Sequence, residues 1–302
     1  MSQLIEKFKK IVREKLRLDK LDKLDMLDKL DNLDKLYKLD KLDNLDLLHD
    51  MSTIMIRVLC KKLSLLQNDN IWNVSIGIKF YCPLYPWDII QRLIVDGNDF
   101  FEIDILNSLK KYIPSNAIIL DIGTNIGNHS IFWATVCGAK KVHAFEPIPH
   151  TYSMLLKNIT LNGLEQIIIP YNIGLGAKSS SGETFIHYAD NIGGTSIIES
   201  LVFNDYSLKI QALDDIDLCE EKIDFVKIDV ENFELQALAG MQNTLKKYKP
   251  VVFIESFESG HGYKLHEKYD SNAPKVREFF KNMGGYDEAI TTDYINWLFV
   301  PH

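Results

Sequence analysis

Ile118-Ile-Leu-Asp121-Ile-Gly123-Thr-Asn125-Ile-Gly127-Asn-His129 is the stretch that decides the fold. Four apolar residues and one acid make a short β-type run, Ile118–Ile122. Gly123 and Gly127 then bracket a turn, and an apolar helical pattern follows from Asn128 to Val136. Strand, glycine turn and helix in that order open a nucleotide-binding α/β unit. The next run, Val142–Phe145, ends on Glu146, an acid about 20 residues beyond the turn, where ribose hydroxyls are held in such folds.

Outward from this unit, buried β-type runs alternate with helical ones. The further runs are Gln166–Tyr171, Phe225–Ile228 and Val251–Glu255, and the helical patterns are Thr151–Asn162 and Glu234–Tyr248. That alternation predicts a doubly wound α/β fold, with a mostly parallel sheet and helices on both faces. Ligands of such sheets bind at the carboxyl ends of the strands. Upstream, Asp99–Tyr112 reads as a helix leading into the core. Ile71–Pro86 has a strand-like texture, ended by Pro83 and Pro86.

Details of the turn choose the ligand. A dinucleotide fingerprint reads GxGxxG, but here the spacing is GxxxG, with Asn125 where the close-approach glycine belongs. A pyrophosphate needs bare backbone amides at the helix start, and Asp121 would repel it. The same acid suits a ligand with an ammonium and a sulfonium and no phosphate, which describes S-adenosylmethionine. The cofactor residues expected are Asp121, Gly123, Asn125, Gly127, Glu146 and, after the next strand, Asn172. An NAD-linked oxidoreductase on the same fold is disfavoured by Asn125 and Asp121.

The segment LDIGTNIGNHSIFWATVCGAKKVHAFEPIPHTYSMLLKNITLNGL, Leu120–Leu164, resembles the core of the FkbM-type S-adenosylmethionine-dependent methyltransferase family. So does VKIDVENFELQALAGMQNTLKKYKPVVFIE, Val226–Glu255. Asn191-Ile-Gly193-Gly194-Thr195-Ser196, Leu213-Asp214 and Asn296-Trp-Leu-Phe-Val are similar to its other landmarks, so the likeness spans roughly residues 95–302. It implies a Rossmann-like class I methyltransferase fold with a seven-stranded sheet, and O-methylation of a small molecule such as a carbohydrate or glycan precursor. The family's glycine after Val-Glu is replaced by Asn232, a residue that tolerates left-handed backbone.

Methylation of an alcohol needs an aligned nucleophile and a proton acceptor. Asp229 is the first candidate, either contacting the acceptor hydroxyl or orienting the cofactor, with helix capping as the alternative. Glu255 and His261 are the other catalytic candidates; His129, like Glu255, ranks below Asp229, with a hydrogen bond to backbone as its alternative role. Glu231, Gly193 and Thr195 are assigned to the substrate. Asp229 and Glu255 could supply two metal ligands without a tight third, so no metal is expected. The chain has no Pro-Pro pair and no Pro-Cys dipeptide, which removes the usual clamps and nucleophiles for base methylation.

Composition sets the outer limits. Among 302 residues, 46% are hydrophobic and 25% charged, ordinary values for a globular protein. Residues 1–50 hold as many acids as bases, so the net charge of -8 belongs to the remainder. That balance disfavours a nucleic acid partner, whose phosphates demand cations. Cys60, Cys82, Cys137 and Cys219 form no CxxC pair, so reduced thiols in a cytoplasmic protein are expected. The opening residues interrupt their apolar positions with charge, unlike a signal peptide.

Three regions are expected: an arm over 1–50, a cap region over 51–115 and the methyltransferase domain over 116–302. Leu18–Leu48 repeats Leu-Asp-Lys or Leu-Asp-Asn with period three, so its leucines wind around a helix rather than forming one stripe. An oligomerisation arm and a tolerated extension both remain open for it. Residues 1–17 form an amphipathic helix with a basic face, suited to a packing partner or to a membrane surface. The alternative for the whole chain is a helical assembly protein carrying a vestigial methyltransferase domain.

Overall fold

The computed structural model describes residues 70–74, 77–188, 191–200, 208–256, 272–289 and 295–302, with the side chains of 181–200 and 289 not included. The N-terminal arm, residues 51–69 of the cap region and His261 lie outside them. Contacts divide the chain into Met1–Leu59 and Cys60–His302, and all described residues belong to the second unit.

In chain order the described elements begin with the strands β1 (Ile71–Asn73) and β2 (Lys79–Tyr81). Helices α1 (Ile89–Gly97) and α2 (Ile103–Leu109) follow. The alternating region holds β3 (Ile118–Ile122), α3 (Asn128–Thr135), β4 (Lys141–Phe145), α4 (Pro149–Leu161) and β5 (Ile168–Tyr171). Next come β6 (Gly174–Leu175), β7 (Ser180–Tyr188), β8 (Asn191–Ser200) and β9 (Leu208–Gln211). The chain then forms β10 (Phe225–Ile228), α5 (Glu234–Ala239), α6 (Gln242–Tyr248) and β11 (Val251–Glu255). It closes with α7 (Ala273–Met283), β12 (Tyr286–Ala289) and β13 (Asn296–Pro301).

The seven-stranded sheet has the order β12-β13-β11-β10-β3-β4-β5. From β11 to β5 all neighbours are parallel, and β13 runs antiparallel to both β11 and β12. Strands β3 and β10 are adjacent although the chain leaves them in opposite directions across the sheet. Their carboxyl ends therefore form the switch point at which such sheets bind ligands.

Period-two alternation sorts the side chains to two faces. Ile119, Phe225 and Phe253 enter one core with residues of α1 to α4, whereas Ile118, Leu120, Val226 and Val252 enter the other with residues of α5 to α7. Asp121 stands two residues after Ile119, and Lys227 two after Phe225. Both face the α3 side, and cross-strand register pairs them directly. Helix α3 is buried from Asn128 to Ala134, as a helix without a polar face must be.

The segment before residue 116 shares this core. Phe80, Ile94, Phe100 and Leu106 are buried in one cluster with Phe132 and Trp133, and Phe100 meets Phe132 edge to face at 5.3 Å. The boundary expected at 115/116 thus marks a change of texture in the sequence, while the packing runs through it. Two elements depart from the sequence reading. The helix expected over Glu234–Tyr248 is two helices broken at Gly240, where an added Cβ would overlap the Gly176 carbonyl. A second sheet of order β6-β9-β7-β8, inserted between β5 and β10, was not anticipated.

Candidate active site

The turn after β3 is shaped by backbone. Gly123 has φ +77°, and a Cβ there would collide with the Asp229 carbonyl oxygen. Asn125 follows at φ 53°, and Gly127 at φ 93° starts α3. A Cβ on Gly127 would lie 2.7 Å from Leu155 Cδ1. Asn158 of α4 holds the turn from outside, donating to the Ile126 carbonyl (2.8 Å) and accepting from the Tyr81 N–H (2.6 Å).

Beneath the turn lies a buried polar network. Asp121 Oδ2 accepts from Ser130 Oγ (2.6 Å) and Thr124 Oγ1 (3.0 Å). Its Oδ1 has no hydrogen bond and sits 3.6 Å from Lys227 Nζ, within reach of charge pairing only. Lys227, 2% exposed, donates to the Gly123 carbonyl at 2.8 Å and lies 3.1 Å from Asp229 Oδ2. Burial alone would depress the ammonium's pKa, but Asp229 and Asp121 outweigh it and hold the lysine charged.

A cavity of about 190 Å³ opens above this network at the carboxyl ends of β3, β4, β10 and β11. Gly123, Asn125, Glu146, Asp229, Glu231 and Glu255 line it, as do Lys227, Glu102 and His129. Five carboxyl side chains thus face one lysine and one histidine. Apolar wall comes from Ile126, Pro147 and Ile148.

Glu146 holds the turn as well as lining the cavity. Its Oε2 accepts from the Asn125 N–H (3.0 Å) and its Oε1 from the Ile148 N–H (2.9 Å). Burial pushes its carboxyl up to about 7, against these two donors, which favour the anion. Burial also raises the Glu231 carboxyl, with Asp229 and Glu234 adding repulsion. Glu255 is raised well above the usual range by burial and by Asp229, Glu231 and Glu102. These groups keep protons that an exposed glutamate would have lost.

Six of the expected residues therefore meet in the cavity: Gly123, Asn125, Glu146, Asp229, Glu231 and Glu255. Others stand behind it. Asp121 is fully buried in the network below, Gly127 packs against Leu155, and Asn172 Nδ2 donates to the carbonyls of Glu146 (2.8 Å) and Pro147 (3.1 Å). Gly193 and Thr195 lie within β8 of the second sheet, Thr195 opposite Ile186 of β7. Asn232, at φ 71°, does adopt the left-handed backbone expected of it, and Glu231 beside it also has positive φ. Among the described residues, no group of three or more His, Cys, Asp or Glu side chains is arranged to hold a metal ion.

Lys227 and Glu102 were not anticipated. A lysine inside the otherwise apolar run Phe-Val-Lys-Ile was the available signal, since a buried charge needs partners. Nothing in the sequence brings Glu102 to His129. Two cavity-lining groups also lack hydrogen-bond partners, His129 Nε2 and Thr151 Oγ1. A glycine-lined turn, a strand-end acid and excess carboxylate around bare polar atoms fit a cationic adenosine ligand and oppose a diphosphate.

The chain is similar to several known proteins. The Methyltransferase FkbM domain model matches residues 121–285, more than half of the chain. Hexuronic acid methyltransferase AglP of Haloferax volcanii is 32% identical over 157 residues, covering 50% of this chain and 61% of that protein. Methyltransferase sdnD of Sordaria araneosa is 26% identical over 179 residues, covering 48% of this chain and 68% of its own. A crystal structure of a methyltransferase FkbM from Methylobacillus flagellatus aligns at 13% identity and a TM-score of 0.41, over 82% of this chain and 60% of that one. The chain belongs to the FkbM methyltransferase domain family, whose methyl donor is S-adenosylmethionine.

Proposed function

We propose that the protein is an O-methyltransferase acting on a hydroxyl of a small molecule, within the carbohydrate or glycan-precursor class. The observation that carries this reading is the acidic cavity set against the Gly123–Gly127 turn. S-adenosylmethionine supplies an electrophilic methyl on a sulfonium, and five carboxyl groups facing one ammonium offer that cation carboxylates which its charge draws into the ionised form. The two lone pairs left on Glu146 suit the ribose hydroxyls. Ile126, Pro147 and Ile148 offer apolar surface for a base.

On the acceptor side, Asp229 is fixed by Lys227 and serves to orient the reacting pair. Glu231 and Glu255, whose carboxyls burial and neighbouring carboxylates raise, stand ready to hydrogen-bond acceptor oxygens. Support for a carbohydrate acceptor comes from the Haloferax relative, named for hexuronic acid. The chain spans 61% of that protein's length, so the acceptor is assigned by class only.

Two measurements test this. Calorimetry of the full-length protein should show S-adenosylmethionine binding, weakened at least tenfold by Glu146→Ala. Label from methyl-tritiated donor should then enter a hydroxyl of a glycan or small molecule in an extract of the source cell. A folded protein that binds no donor removes the proposal, and label found on nitrogen or on nucleic acid removes its O-methylation and acceptor parts.

A further inference from the structure

We propose that His129, oriented by Glu102, is the base that takes the proton from the acceptor hydroxyl. This rests on the O-methyltransferase reading and names a residue that the sequence ranked below Asp229.

The juxtaposition is built by three separate features. Asn128 Oδ1 accepts from the Phe101 N–H at 2.9 Å, and Asn128 Nδ2 donates to the Phe101 carbonyl at 3.0 Å. This reciprocal pair locks the segment before α2 to the start of α3, so the next residue on each side, Glu102 and His129, must face each other. Glu102 holds φ 59°, a left-handed conformation that a non-glycine residue keeps only when its surroundings demand it. His129 Nε2 lies 3.4 Å from Glu102 Oε2, and both side chains line the cavity.

The contact is within charge-pairing range and is not a hydrogen bond; a hydrogen bond formed across it in the donor complex would hold the proton on Nε2 and leave Nδ1 bare. No protein group among the described residues bonds to His129 Nδ1. Among the competing carboxyl groups, Asp229 is tied to Lys227 at 3.1 Å. Trp133 lies against the imidazole, ring centres 6.0 Å apart, and limits its rotation.

The step balances simply. The acceptor oxygen forms its bond to the methyl carbon while its proton moves to His129 Nδ1. The electron pair of the broken carbon–sulfur bond stays on sulfur, which becomes a neutral thioether. The imidazolium, stabilised by Glu102, then returns its proton to water. Glu102 never touches the acceptor and is a positioning residue.

The test uses the full-length protein with 15N-labelled histidine. In the neutral ring, nitrogen shifts should place the proton on Nε2 of His129, assigned by its loss in His129→Gln. Tritiated methyl transfer into a source-cell extract should fall about 100-fold in His129→Gln, the usual worth of a general base. S-adenosylmethionine binding should stay within threefold of wild type. Glu102→Gln should lower kcat by a larger factor than it raises the KM for the donor, and Glu102→Asp should restore part of kcat. A proton on Nδ1, or undiminished transfer by donor-loaded His129→Gln, overturns the proposal. Absence of donor binding by the wild-type protein would instead remove the methyltransferase reading, while the nitrogen shifts still report on the dyad.

Discussion

A methyl group on Gly123 would occupy the place of the Asp229 carbonyl oxygen, and its φ of +77° strains any L side chain. Gly123→Ala should therefore cost at least about 2 kcal/mol and abolish donor binding. Gly97 is the control, since it has open space around its Cβ; Gly97→Ala should change stability by less than about 1 kcal/mol. Urea denaturation of the two variants reads both, and equal losses would show that the turn is not constrained as described. Lys227 supports a sharper prediction. Removing one member of a buried charge pair costs about 3–5 kcal/mol because the partner is left unpaired. Lys227→Met strands the fully buried Asp121, so the double variant Lys227→Met/Asp121→Asn should recover part of the loss. If the double variant is no more stable than Lys227→Met, the Asp121–Lys227 contact contributes little.

Helix α6 begins without a capping side chain of its own. Asp214 supplies the cap from a distance, accepting from the N–H groups of Asn243 (2.8 Å) and Thr244 (2.9 Å) and from Thr244 Oγ1 (2.8 Å). Asp214→Ala should destabilise by about 1–2 kcal/mol, while Asp214→Asn retains an acceptor and loses less. Equal losses in thermal melts would show that the hydrogen bonds are not the source. In sequence Asp214 was only a family landmark, because a cap thirty residues away leaves no local pattern. Strands β3, β10 and β11 were legible to the residue, since a strand buried on both faces must be a short, nearly unbroken apolar run. The break at Gly240 was not legible, because it comes from the close approach of Gly176 across the fold. The sheet of β6 to β9 was missed for a related reason. Its strands carry mixed polarity, and their pairing is decided by partners far along the chain. The turn glycines and Glu146 were readable because strand ends locate them. The contact between Asp121 and Lys227 was not, since only cross-strand register sets them side by side.

Five carboxyl side chains of the Cys60–His302 unit line the cavity, and burial raises the pKa of several of them. In the unfolded chain Glu146 and Glu234 ionise near the ordinary 4.5. In the folded protein burial moves each to about 7, against hydrogen bonds that favour the anion. Between those values the folded state keeps protons that the unfolded state has released, so stability falls as pH rises through that window and levels off above it. Each group contributes at most about 3 kcal/mol to this decline. The melting temperature of the ligand-free protein should therefore drop by several degrees from pH 5 to pH 8, at about 2–4 °C per kcal/mol. A cationic donor reverses the preference, because its charge stabilises the ionised carboxylates. Donor affinity should then rise from pH 6 to pH 8, with proton release on binding near pH 7. Titrations in two buffers of different ionisation enthalpy would measure that release. It should shrink with S-adenosylhomocysteine, which lacks the sulfonium charge, and in Glu146→Gln. Equal proton release with donor and product would mean that the carboxylates do not sense the sulfonium. The cavity's acidity would then have to act on the acceptor rather than on the donor.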